Sequence, residues 1–191
     1  MDLRVKDSKI IKSIVHEAFY DVLGNESENI ISAFNLDDAK TSDLLSYINE
    51  ILTRLNLRSE TKRKLIEKIS ENLNNYVSVA FSPDRVELIG STPIDLNVTV
   101  GNMFDLPIIF NVYLEDRDNF LQVIYDKNND SYVNTYYLER IIDSGDKSNF
   151  KFKLLNTKNY NKKDSTLFII VRSADLNLLN VINKLPLHIS L

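Results

Sequence analysis

The chain has 191 residues, 43% of them hydrophobic and 26% charged, which are fractions of an ordinary globular protein and exclude a disordered tail, a collagen-like fibre and a membrane bundle. The length suits one large domain or two of roughly 100 residues each. With no cysteine and a net charge of −4, disulfides, thiolate metal sites and cysteine nucleophiles are excluded, and no general attraction to nucleic acid or anionic membranes is expected.

The segment Met1 to Asp7 mixes charges and has no apolar run, so no secretory signal is expected. No stretch approaches the ~20 apolar residues of a membrane span. Cytoplasmic placement is the expectation. The hydrophobic period changes once, near Asn74 and Asn75, from helical spacing to alternation. This predicts a helical part over 1–75 and a strand part over 76–191. No Pro/Gly-rich linker separates them, so they are expected to pack together.

The first helix is predicted from about Ser8 to Leu23. Asp7 or Ser8 caps it, and Ile11, Ile14, Val15, Ala18, Val22 and Leu23 form its apolar stripe. Gly24 stops it. Asn25 and Glu28 frame the start of a short second helix with Ile30, Ile31 and Phe34. Thr41 or Ser42 is expected to cap a third, whose Leu44, Leu45, Ile48, Ile51, Leu52 and Leu55 share a face. Ser59 begins a fourth with Leu65, Ile66, Ile69 and Leu73 apolar. Short connections predict a helical bundle.

Residues 48–70 have the pattern of a helix-turn-helix. Asn56 sits at the turn, where a left-handed backbone is needed, and Asn tolerates that conformation. Leu57 would be the buried turn residue and Leu65 a core residue. Arg58, Lys62, Arg63, Lys64 and Lys68 would then face outward as a DNA-reading surface. Lys62 breaks the pattern, because an apolar residue is expected three before Leu65. The ordinary reading is a helical hairpin with a solvated basic face. The stretch also resembles one helix pair of the cyclin-like repeats of archaeal general transcription factors. Through the break at Leu23-Gly24 and the leucine-rich hairpin, Lys9 to Asn72 resembles small helical output domains of archaeal proteins.

From Tyr76 onward the chain reads as strands. Val77, Val79 and Phe81 alternate; Pro83-Asp84 turns the chain; Val86 and Leu88 follow, then a break from Gly90 to Pro93. Ile94, Leu96, Val98 and Val100 alternate with polar residues. Gly101 to Pro107 reads as a hairpin-type connection into Ile108 to Leu114. Further strands are predicted over Leu121–Tyr125, Tyr132–Ile142, Asn149–Leu155, Thr166–Arg172 and Leu185–Leu191. Gly90, Pro93, Val100, Asn102, Asp105 and Pro107 resemble the turn and strand pattern of adhesion-type and fibronectin-like immunoglobulin domains. The antibody-type Cys…Trp…Cys pattern is absent, as the chain has neither residue. The resemblance implies an immunoglobulin-like β-sandwich over 76–191, and so an α+β chain whose sandwich acts as an interaction module.

Catalytic chemistry finds little support. His16-Glu17 is the one acid–base pair with a histidine at close spacing, and His188 alternates with Leu187 and Ile189 so as to face solvent. Asp126, Asn128 and Asp130 copy the first three ligand positions of a calcium loop, but Ser131 and Tyr137 stand where Gly and Glu belong, so a polar hairpin turn is expected. No phosphate loop, GxSxG or HExxH motif occurs. No catalytic residue, cofactor or metal is therefore expected. The expected partner is another protein or a second copy, met through Tyr125, Tyr132, Tyr136 and Tyr137 or through Leu187 and Ile189 on an apolar final strand. The alternative is a DNA-binding regulator using the basic hairpin.

Overall fold

The computed structural model describes residues 2–89, 92–117, 121–124, 137–156 and 162–190. It is an α+β chain, with a helical region followed by a β-rich region. α1 (Lys9–Leu23) begins where the Ser8 hydroxyl accepts the Ile11 amide and ends at Gly24, whose φ of 66° suits glycine. Its buried stripe is Ile11, Ile14, Val15, Ala18 and also Phe19; Val22 and Leu23 lie at its margin.

α2 (Ser27–Ala33) follows one 3₁₀ turn over Gly24–Glu26, so Asn25 lies inside that turn and does not cap the helix. α3 (Leu44–Arg54) follows another 3₁₀ turn, Thr41–Asp43. Thr41 is not its cap. The Thr41 hydroxyl donates to the carbonyls of Leu3 and Asp175 and is buried there. α3 closes with Leu57 N–H on Leu52 C=O and Asn56 N–H on Thr53 C=O. With Asn56 at φ 51°, this is a Schellman-type end. α4 (Ser59–Asn74) buries Leu65, Ile69 and Leu73 and packs mainly on α1.

Nine strands are described. β1 (Val77–Ser82), β3 (Ile94–Asn102), β7 (Lys147–Asn156) and β5 (Leu121–Ile124) form a four-stranded sheet in the order β1-β3-β7-β5. β2 (Val86–Ile89), β9 (Asn180–Ser190), β8 (Lys162–Ser173), β4 (Ile108–Asp116) and β6 (Tyr137–Ile142) form a five-stranded sheet in the order β2-β9-β8-β4-β6. Alternate residues from each sheet enter one core: Leu96, Val98, Val100, Phe150, Phe152 and Leu154 from one side, Phe110, Val112, Leu114, Leu167, Ile169 and Val171 from the other. The strand order resembles the two-sheet, four-plus-three arrangement of a constant-type immunoglobulin domain, with β6 added beside β4 and β2 beside β9.

Two expectations are corrected by this topology. Gly101 to Pro107 is no hairpin: β3 and β4 belong to different sheets, and the connection crosses between them. Over residues 187–190 the final strand is no open edge: these residues are paired in parallel with β2 and antiparallel with β8. Burial of an alternating apolar strand says nothing about its place in the sheet, so the sequence pattern could not distinguish edge from centre.

Core residues of the helices and of both sheets form one cluster. Polar contacts fasten the helix ends to the loops at one end of the sandwich. Asp105 accepts the Ser8 hydroxyl and the Lys9 amide, the latter at 2.8 Å. Asn177 Oδ1 accepts the Leu45 amide at 3.4 Å. Asn74 and Asn180 exchange two hydrogen bonds of 3.0 Å. Tyr76 stacks on Phe104 with ring centroids 5.5 Å apart.

Candidate protein-contact surface

The two sheets present different outer faces. Along β1, β3 and β7 the outward residues are Ser78, Ala80, Asp95, Asn97, Thr99, Asn149, Lys151 and Lys153, a polar surface. Along the five-stranded sheet, strand pairing aligns Tyr137 with Tyr113, Tyr113 with Ile170, and Ile170 with Ile182. These four residues form one apolar row across β6, β4, β8 and β9. Tyr137 is 37% exposed and Ile182 51%. Ile170 is buried, yet stands apart from the main core, so its burial comes from neighbours on the outer face. The Tyr113 and Tyr137 rings stack at 5.1 Å. A second apolar pair, Ile109 and Ile141, lies two rows away, with Ile141 68% exposed.

Charge flanks the row in order. On one side Glu139 of β6 and Arg172 of β8 sit in register with Asn111 between them. On the other side Glu115 of β4 aligns with Phe168 of β8, and Phe168 with Lys184 of β9. In the rows beside it the acids Glu139 and Glu115 therefore lie on β6 and β4 and the bases Arg172 and Lys184 on β8 and β9, while Arg117, just past the end of β4, lies against Glu115. Arg172 lies over the Tyr113 ring at 5.8 Å and donates to Asn180 Oδ1 at 3.0 Å. Arg117 pairs with Glu115 at 3.4 Å and covers the Phe168 ring at 4.3 Å. The Tyr137 hydroxyl donates to Glu139 Oε2 at 3.0 Å, and this bond with its neighbouring charge raises the phenol pKa.

Of the residues expected to meet a partner, Tyr137 lies on this face. Leu187 and Ile189 do not: both point inward and are fully buried between the sheets. Tyr125, Tyr132 and Tyr136, and the Asp126, Asn128 and Asp130 triplet, lie outside the described residues. Tyr113 and Ile170 were read from sequence only as strand residues, and Ile182 fell before the final strand expected from Leu185, which begins at Asn180. The signal that groups them is cross-strand register, which a single strand does not carry.

The basic hairpin is largely engaged with its own chain. Arg63 pairs with Glu67 at 3.6 Å, Lys64 with Glu60 at 3.0 Å, and Lys68 with Asp21 of α1 at 3.3 Å. Lys62 is half-buried, and its amine donates to Thr53 of α3 at 3.1 Å. It thus occupies the place an apolar residue would take. Leu65 is fully buried, Leu57 half-buried and Arg58 exposed.

His16 meets Asp37, not Glu17. Its Nε2 is 2.8 Å from Asp37 Oδ1, while Lys12 Nζ reaches Asp37 Oδ2 at 2.5 Å; Glu17 accepts the Ser13 hydroxyl at 2.6 Å. Partial burial opposes the Asp37 charge, but Lys12 and His16 outweigh it and hold its pKa down. A shallow cleft of about 400 Å³ adjoins them, lined also by Glu28, Ser32, Asn35 and Asp38. His188 is partly covered and pairs with Asp164 at 2.5 Å. Among the described residues no three His, Asp or Glu side chains converge to hold a metal. No described helix is long and apolar enough to cross a membrane.

No family model matches the chain, and no curated protein matches it. Solved structures align with part of it. A Salmonella alpha-2-macroglobulin reacted with methylamine is 13% identical with a TM-score of 0.45, over 60% of this chain and 7% of that one. A FixG-related protein from Vibrio parahaemolyticus is 13% identical with a TM-score of 0.44, over 61% and 98%. The periplasmic chaperone SfaE is 14% identical with a TM-score of 0.37, over 59% and 57%. The chain thus spans a small fraction of the alpha-2-macroglobulin.

Proposed function

We propose that the chain is an intracellular, non-enzymatic protein-binding module whose contact surface is the outer face of the five-stranded sheet, with the helices acting as a bundle that closes one end of the sandwich. One observation carries this: Tyr137, Tyr113, Ile170 and Ile182 stand in a single register row on an outer face whose counterpart on the other sheet is polar. Tyrosine in an apolar patch rimmed by charge is the composition of interface centres. Against the DNA reading, Arg63, Lys64 and Lys68 of α4 are paired with carboxylates, so a phosphate would have to displace them.

The test is affinity capture from lysate of the source organism, with nuclease present, comparing wild type, Ile182→Glu and Lys151→Glu. Each variant is first checked by thermal melting. Proteins retained by wild type and by the Lys151→Glu control should be lost with Ile182→Glu. Equal retention by all three would contradict the assignment of this face.

A further inference from the structure

The charge order around the apolar row matches itself when the face is turned over. We propose that the outer face of the five-stranded sheet binds a second copy of this chain, forming a two-fold dimer by sheet-on-sheet packing. The inference rests on the reading of that face as the contact surface and names its occupant.

The geometry follows from the register. A two-fold axis along the strands, midway between β4 and β8, sets the β6–β4 half of one copy on the β8–β9 half of the other. Tyr137 then lies over the second copy's Ile182, and Tyr113 over its Ile170. In the flanking row Arg172 comes over Asn111, one strand from Glu139, so the basic half of each copy meets the acidic half of the other. A foreign partner would need a matching pattern of its own; a second copy already carries one. Aligned sheets pack face to face at about 10 Å, a separation these side chains can fill.

The size of the face sets the strength. Four strands at about 4.8 Å spacing and four residue rows at about 6.7 Å cover roughly 500 Å². A standard stable interface buries about 800 Å² per partner. The dimer should therefore be weak, with a dissociation constant of about 10–100 µM.

The experiment is sedimentation equilibrium of the full chain from about 1 to about 500 µM, with thermal melts of each variant. Wild type should pass from monomer to dimer across this range. Ile182→Glu should raise the dissociation constant at least about tenfold, because it sets a charge against Tyr137. Glu139→Arg and Arg172→Glu should each weaken it, and their combination should recover most of the loss.

The orientation has its own readout, because the chain lacks cysteine. Mixed and treated with a short thiol-reactive bifunctional crosslinker, Tyr137→Cys and Ile182→Cys chains should join to each other in preference to themselves, because the facing positions stand about 10 Å apart across the two sheets. In the proposed dimer the two copies of either position stand about 17 Å apart, three strand spacings across and one sheet separation deep, beyond the reach of such a reagent. Wild type monomeric at the highest concentration would overturn the dimer, as would dimerisation indifferent to Ile182→Glu. If wild type stays monomeric while lysate proteins are still lost with Ile182→Glu, the dimer falls and the contact surface stands.

Discussion

The connection from β3 to β4 hangs on one amide side chain. Asn102 is buried, with Nδ2 donating to the carbonyls of Leu106 at 2.9 Å and Ile142 at 2.8 Å, and Oδ1 accepting the Phe104 amide at 3.0 Å. Asn102→Ala strands all three groups and should cost about 2–3 kcal/mol in chemical denaturation. Asn102→Asp should cost more, because a carboxylate cannot donate to the two carbonyls. The reverse case is Asn111, which is buried and whose Oδ1 has no hydrogen-bond partner among the described residues. Asn111→Leu should leave stability unchanged or raise it by up to about 1 kcal/mol, read in the same titration. Asn102 stood out in the sequence as part of a strand-ending pattern. Its role did not, because one partner, Ile142, is 40 residues away.

At the scale of elements, helix ends are where the sandwich holds the helices. Partial burial works against the Asp105 charge, but the Ser8 hydroxyl and the amides of Lys9 and Ile10 outweigh it and hold its pKa below the ordinary 3.8. A carboxylate depressed by folding stabilises the native state above its unfolded-state pKa. That contribution is lost as pH falls through the lower folded value. Asp105→Asn should therefore destabilise at pH 7 by about 1 kcal/mol and flatten the loss of stability below pH ~4. Unchanged acid sensitivity in this variant would contradict the cap. Asn74→Ala, which breaks the exchange with Asn180, should cost about 1–2 kcal/mol by the same measure. The limits of α1 were legible because Ser8, the apolar stripe and Gly24 are all local. The start of α3 was not, since Thr41 serves a carbonyl at Asp175, 134 residues later. Lys62 was legible as a break in the turn pattern, and its bond to Thr53 shows the hairpin accommodating it.

At the scale of the molecule, the change of period near Asn74 and Asn75 separated helices from strands, because helical and alternating burial leave different spacings. The division of nine strands between two sheets was not visible, since each strand buries one face whichever sheet it joins. That is why Tyr137 alone of the face was anticipated and why the final strand carrying Leu187 and Ile189 reads from sequence as an open edge. Core residues of both regions lie in one cluster, so near- and far-ultraviolet circular dichroism should report a single coincident unfolding transition. The central claim is that the outer face of the five-stranded sheet is where this chain meets protein. A photo-crosslinking amino acid placed singly at Ile182, at Tyr137 and at Lys151 in cells of the source organism tests it directly. Crosslinked species from Ile182 and Tyr137, with Lys151 giving none of them, are the expected result. The same species from Lys151, or none from either outer-face position, would contradict the account.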